Sequence, residues 1–269
     1  MDTKILFLGT GGDIAVTSKQ KRASGGIIIQ VDDCQFHIDP GPGALVQAAR
    51  HGINVRDHTA ILVGHAHLGH CNDTNALIAA MTLNGMDKHG VLVGSESFLT
   101  SDFLTEFHKN CVEKILPAIP GKKIAIQDTE IRALETEHSD DKAVGFKLFT
   151  PKFVLCYTSD TKYKKNIAEQ YEKSDILIIN HKHPFETSKA DGLTSEDVIK
   201  IINKAKPKLA ILTHFGSKLM SINPIYEARE IQKQTGAQVI AAEDGMSIDP
   251  LSYSASMKQK TLNLYKKSK

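Results

Sequence analysis

Apolar and β-branched residues along this chain fall into short runs separated by turn residues. Ile5–Leu8, Gly26–Val31 and Phe36–Ile38 read as strands, each closed by Gly, Asp or Pro. A helix is predicted over Ala44–Arg50, a strand at Ala60–Val63, and a helix from about Asn72 to Met81. A strand at Val91–Val93 precedes a looser helical stretch near 101–116. Four strand signals follow in close order: Lys123–Ile126, Ile131–Glu135, Val144–Leu148 and Phe153–Tyr157. The last third alternates: strand Ile176–Ile179, helix Ser195–Lys204, strand Leu209–Leu212, helix Pro224–Gln234, strand Gln238–Ala241. Meandering strands followed by alternating strands and helices predict an α/β protein with two sheets and helices packed outside them.

Composition narrows this picture little. The 269 residues are 41% hydrophobic and 24% charged, ordinary for a globular chain, and suffice for a sizeable core. A net charge of +2 points to no polyanionic partner, and no apolar run approaches a membrane span. "KILFLGTGG" is too short in apolar core for a secretory signal, and Cys34, Cys71, Cys111 and Cys156 form no CxxC pair. Free thiols and a cytoplasmic location are the expectation. One domain is expected over residues 1–250, with "KQKTLNLYKKSK" lying in a solvated basic tail, 251–269.

The histidines change the picture more. "LVGHAHLGHCND" places His65, His67 and His70 in six positions directly behind the strand Ala60–Val63. A His-x-His pair on a loop leaving a strand can turn two neutral imidazoles toward one divalent ion, with Zn the first choice and Fe or Mn the alternatives. Further candidate ligands follow other apolar runs: His138 after "IRALETE", Asp160 after "FVLCYTS" and His214 after "LAILT". Such strand ends are where α/β proteins build their sites. "GTGG" lacks the spacing of a phosphate-binding loop, and no GxSxG is present for a serine hydrolase.

The series "LGTGG" at 8–12, "HIDPGPG" at 37–43, "HAHLGH" at 65–70, "EH" at 137–138, "YTSDT" at 157–161 and "LTHFG" at 212–216 resembles the metallo-β-lactamase superfamily. "LGTGG" and "LTHFG" lean toward its ribonuclease Z and phosphodiesterase branch, and "AAEDGM" at 241–246 is similar to that branch's closing strand. The resemblance implies a four-layer αββα sandwich with one or two divalent ions at the edge between the sheets. It places His65, His67 and His138 on a first ion, Asp160 between both, and His70 and His214 on a second. Asp39 would order the ligands from behind.

One position departs from the family pattern HxHxDH: Gly69 stands where that pattern has an aspartate. Three outcomes follow for the second site. It is weak and the protein runs on one ion; another residue substitutes, with Asp73, Cys71, His181 and His183 the candidates; or catalysis is lost while the fold is kept. Gly192 is a second departure, standing where related chains carry a histidine before the "TSED" helix start, and His181 or His183 would reach that space. Asp160, His181 and His183 are therefore the candidate catalytic side chains. The lysines of "TKYKKN", 161–166, sit close enough in sequence to flank an anionic substrate.

The expected activity is hydrolysis by a metal-bound hydroxide, on a phosphodiester in a small nucleotide-like ester or RNA. Opening of a lactone or β-lactam is the alternative of the same fold, and a non-catalytic metal-binding or ligand-sensing module is the alternative of another class. RNA is less favoured, because no long Gly- and Pro-rich basic arm appears; region 101–125 offers only "LPAIPGKK". A homodimer is kept open, and no membrane partner is expected.

Overall fold

The computed structural model describes residues 3–188 and 190–254. Fourteen strands among them form two seven-stranded mixed sheets. The first comprises β1 (Lys4–Phe7), β2 (Ile27–Val31), β3 (Cys34–Ile38), β4 (Ala60–Val63), β5 (Val91–Gly94), β6 (Lys114–Pro117) and β14 (Ser247–Ile248), in the order β14-β1-β2-β3-β4-β5-β6. The second comprises β7 (Lys123–Ile126), β8 (Thr129–Glu135), β9 (Val144–Phe149), β10 (Val154–Tyr157), β11 (Ile176–Asn180), β12 (Leu209–Thr213) and β13 (Val239–Ala241), ordered β13-β12-β11-β10-β9-β8-β7. Each sheet begins as an antiparallel meander and ends as a parallel ladder: β3 to β6 in one, β10 to β13 in the other.

The parallel strands read as unbroken apolar runs because both of their faces are covered. Leu155, Tyr157, Ile176, Ile178, Leu209 and Ile211 join Phe7, Ile29, Phe36 and Leu62 in the core between the sheets. The alternate residues Cys156, Leu177, Ile179, Ala210 and Leu212 pack under the helices Ser195–Ala205 and Pro224–Thr235. Ile61, Val63 and Leu92 do the same under Ala44–Arg50 and Thr74–Thr82. Helix, sheet, sheet, helix is the four-layer αββα sandwich expected.

One expectation is corrected. The stretch 101–116 is not one helix: Glu106–Cys111 is helical, and Lys114 onward is β6, a parallel edge strand beside β5. An edge strand has one pairing neighbour and exposed ends, so it carries no strong apolar alternation to read. β14 is two residues long and is defined by its pairing with β1, where Ile5 meets Ile248 across 243 positions, a contact that no local pattern announces. The expected basic tail lies outside the described residues beyond Ser254, which follows a turn of 3-10 helix at Pro250–Tyr253.

Buried histidines set an acid limit on this fold. His37 sits fully buried between Gly25 O, at 2.7 Å, and His58 Nε2, at 3.0 Å, and burial pushes it down to about 4. His181 is equally buried and is also held down to about 4, again by burial. A depressed folded pKa gives stability that is complete above about 6.5 and lost as pH falls through about 4. His70, which moves the other way, changes its contribution only above that window. Urea unfolding of the metal-free protein is expected to lose about 3 kcal/mol for each of His37 and His181 between pH 7 and 4. A flat profile over that range would contradict the assignment.

Candidate metal centre

Strand ends from both sheets meet at one edge. β4 runs into Gly64 and the His65–His70 loop, β3 into Asp39, β8 into the loop bearing His138, β10 into Asp160, and β12 into His214. Three site residues without the licence of glycine have left-handed backbone: Asp39 (φ 50°), Ser159 (φ 56°) and His214 (φ 59°). Such conformations cost on the order of 1 kcal/mol each and persist where surrounding structure over-determines them. Around His214 the cause is visible. Gly12 packs so closely that a Cβ there would stand 2.0 Å from His214 O, and Gly12 N donates to Phe215 O. "GTGG" is thus a close-packing turn against the ligand loop, tied down by Asp244, which accepts from Thr10 N and Oγ1 and from Ala23 N.

The side chains converge in two overlapping groups. His65, His67 and His138 bring ligand atoms within 4.8 Å of one another, and so do His65, His70 and Asp160. His138 Nε2 faces His67 Nδ1 at 3.1 Å, near the roughly 3.3 Å edge that Zn–N bonds of about 2.0–2.1 Å imply in a tetrahedral site. His214 Nε2 approaches Asp160 Oδ1 at 3.2 Å, and His70 Nε2 approaches Oδ2 at 3.4 Å. His65 decides whether these residues suit a cation. It is fully buried, yet neither ring nitrogen has a partner, and His138 Nδ1 is orphaned as well. Each orphan costs about 1–3 kcal/mol unless something else binds it. Clustered imidazole nitrogens beside one carboxylate are the donor set of a divalent metal.

Electrostatics agree. Burial favours neutral His70, but the carboxylates of Asp160 and Asp39 outweigh it and push its pKa up to about 10. Burial likewise opposes charge on Asp160, yet His214 and His70 hold it well below the usual carboxylate range. The pocket gathers positive charge around a fixed carboxylate.

A set of residues behind the ligands fixes them. Asp39 accepts from Gly64 N at 2.7 Å, from Tyr157 Oη at 2.7 Å and from His70 Nδ1 at 2.8 Å. Nδ1 of His70 is therefore occupied, and Nε2 is left to face the site. Asn180 Nδ2 donates to Asp160 Oδ1 at 2.7 Å and to Tyr157 Oη at 3.1 Å. Asp140, two residues past His138, accepts from Ala66 N, between His65 and His67, and from Ser97 Oγ at 2.6 Å. It ties the two ligand loops across the sheets. Sequence reasoning missed Tyr157, Asn180 and Asp140. Asn180 and Tyr157 end strands beside named ligands and were findable on that signal; Asp140 had none.

Several expected residues stand elsewhere. His181 does not reach the site. It follows Asn180 on the strand, so its side chain takes the opposite face. There Nε2 donates to Ser195 Oγ at 2.9 Å, and Ser195 donates to Glu227 of the Pro224–Thr235 helix. His183 is bound through Nε2 to Asp191 at 2.6 Å and belongs to neither converging group. Asp73 accepts from Leu45 N at 3.2 Å, at the start of the Ala44–Arg50 helix, and so serves that helix rather than the ligands. Cys71 packs into the core beneath the first sheet's helices, where burial pushes its thiol up to about 12. Beside Gly69 there is open space: nothing lies within 4 Å of where its Cβ would stand. A cavity of about 840 Å³ lies at the far ends of β4 and β5 among Thr59, Val91, Lys114 and Ile126, and includes no residue of the cluster.

Residues 35–215 match the model of the β-lactamase superfamily domain, a span running from β3 to just past His214. The chain belongs to the metallo-β-lactamase superfamily. An uncharacterised protein of Methanocaldococcus jannaschii is 34% identical over 258 residues, covering 93% of this chain and 96% of the other. The ribonuclease Z of Methanopyrus kandleri is 28% identical over 182 residues, covering 66% of this chain and 61% of its own. Among solved structures, the metallo-β-lactamase fold protein YhfI of Bacillus subtilis aligns with a TM-score of 0.77 at 18% identity, covering 91% of this chain and 98% of that one. A diphosphatase from the PhnP family aligns with a TM-score of 0.68 at 21% identity, covering 92% and 97%. This superfamily binds divalent metal and is one of metallo-hydrolases. Among the described residues no helix is long and apolar enough to cross a membrane.

Proposed function

We propose that this chain is a metal-dependent phosphodiesterase acting on a small nucleotide-like ester. The observation that carries the reading is His65, buried with both ring nitrogens unpartnered at the meeting point of both ligand groups. His65, His67, His138 and Asp160 would hold the dependable ion, with Zn the first choice, and His70, His214 and Asp160 would form a second, weaker site. When bound, the ion supplies Lewis acidity, lowering the pKa of its water toward about 7 and polarising a phosphoryl oxygen.

The chain's own residues do the rest. Asp39 fixes the tautomer of His70, and Asn180 with His214 orients Asp160. Asp160, held ionised by His214 and His70, is the anionic donor of the site. The phosphodiester choice draws support from the likeness to a ribonuclease Z and to a diphosphatase. A small substrate is favoured over RNA because β6 and β7 are joined by only residues 118–122, a tight connection rather than a protruding arm.

Elemental analysis paired with hydrolysis of bis-(p-nitrophenyl) phosphate, nitrocefin and a lactone tests the reading. Bound metal and chelator-sensitive turnover of the diester alone are expected. Metal without turnover of any of the three would make the chain a binding module, and preference for nitrocefin or the lactone would move the substrate class.

A further inference from the structure

We propose that Lys182 is the anion-recognition group of this site, the side chain that meets a non-bridging oxygen of a phosphate ester or of inorganic phosphate. The inference rests on the phosphodiesterase reading for its substrate class, and on geometry for its residue. β11 ends at Asn180, whose amide holds Asp160, and Lys182 lies two residues further on. The backbone of this segment is bound to the ligand loop of β12. His181 N donates to Thr213 O at 2.8 Å, and Gly216 N, two residues past His214, donates to Lys182 O at 3.2 Å. Lys182 is therefore placed between the strand end that presents Asp160 and the loop that presents His214.

Its side chain is also confined. A Cβ on Gly192 would stand 3.3 Å from Lys182 Cβ and Cδ, and one on Gly216 would stand 3.3 Å from Lys182 Cγ and 2.4 Å from its carbonyl oxygen. Two glycines thus form the walls of the slot the stem occupies. The ammonium donates to Asp191 at 2.7 Å, and the other oxygen of Asp191 takes His183 Nε2 at 2.6 Å. Burial alone would raise the pKa of Asp191, but these two partners hold it down to about 2, so it remains an ionised anchor. An ammonium has three donors, and Asp191 takes one.

The chemistry that fits is a compact anion reaching the metal ligands from this side. Lysine rotamer freedom is a large part of what such a contact loses on binding, and the Gly192–Gly216 slot with the Asp191 anchor removes it beforehand. Two other lysines, Lys164 and Lys200, are also paired, with Glu137 at 2.5 Å and with Asp197 at 2.9 Å.

The test uses the metal-loaded full chain, with inorganic phosphate as the probe. Calorimetry gives phosphate affinity, elemental analysis gives metal content, and bis-(p-nitrophenyl) phosphate gives KM and kcat separately. Lys182→Met is expected to weaken phosphate binding at least about tenfold and to raise KM, as loss of one charge-assisted contact implies, with metal per chain unchanged. Lys182→Arg should retain phosphate affinity within about threefold, since it keeps a cationic donor. Wild-type phosphate affinity in the Lys182→Met protein would overturn the proposal, as would no phosphate binding by the wild type. Loss of metal from that variant would overturn it too, because the side chain would then act on the ligand loop. If Lys182-dependent phosphate binding occurs without diester cleavage, the proposal stands and the phosphodiesterase reading falls. Cleavage with unchanged phosphate affinity gives the reverse.

Discussion

Replacing His67 by alanine should strip the protein of tightly held metal and leave its fold intact. His67 is the exposed member of its group, and its side chain meets His138 Nε2 at 3.1 Å. Truncation therefore opens no cavity and orphans no core group, so the metal-free variant should unfold within about 2 °C of the wild type. His65 would be the poorer test: it is fully buried, and a lost fold would be indistinguishable from a lost ligand. Loss of one of three clustered imidazoles should take metal content well below stoichiometry by elemental analysis. Hydrolysis should fall by roughly 10³-fold, because several kcal/mol of transition-state stabilisation come from the ion. Unchanged metal content in the His67→Ala protein would refute the ligand assignment.

How much of this was legible beforehand follows from what each feature depends on. Strands such as Ile176–Asn180 and Leu209–Thr213 are buried on both faces, so their apolar runs and the turn residues behind them are local signals. The convergence of His65, His67, His70, His138, Asp160 and His214 was legible for the same reason, since each stands at or just beyond the end of such a run. Asp39 was legible from its place after β3.

What stayed hidden depends on partners distant in sequence. Asp140 matters through Ala66 and Ser97, and Asp244 through Thr10 and Ala23, 234 and 221 positions away. His181 was misread because proximity in sequence to a site residue says nothing about which face of the strand a side chain takes. Asn180 points to Asp160, so His181 cannot. Asp73 was misread similarly: a helical turn from His70 is close, but its carboxylate is bound to Leu45 N.

Gly69→Asp should bring the metal content from closer to one ion per chain to two. The HxHxDH pattern carries an aspartate at this place, and the protein lacks it. The position accepts the substitution: no atom lies within 4 Å of a Cβ there, and the backbone is not in the left-handed region that would strain a side chain. Gly69 also precedes His70 and lines a small pocket with His70, Asp39 and His214, so residue 69 neighbours the second ligand group. The residues offered as its replacement do not serve. Cys71 is a buried thiol held protonated, Asp73 holds a helix start, and His181 and His183 are bound to Ser195 and Asp191. With Asp160 the carboxylate that faces the Nε2 atoms of both His70 and His214 among the described residues, the second ion should be the one lost first on dialysis. An added carboxylate supplies both a ligand and a proton acceptor, so diester hydrolysis should rise by about 10² or more. Two tightly held ions in the wild type would show that the second site is complete without residue 69, and no gain of metal in Gly69→Asp would place the limit elsewhere in the pocket.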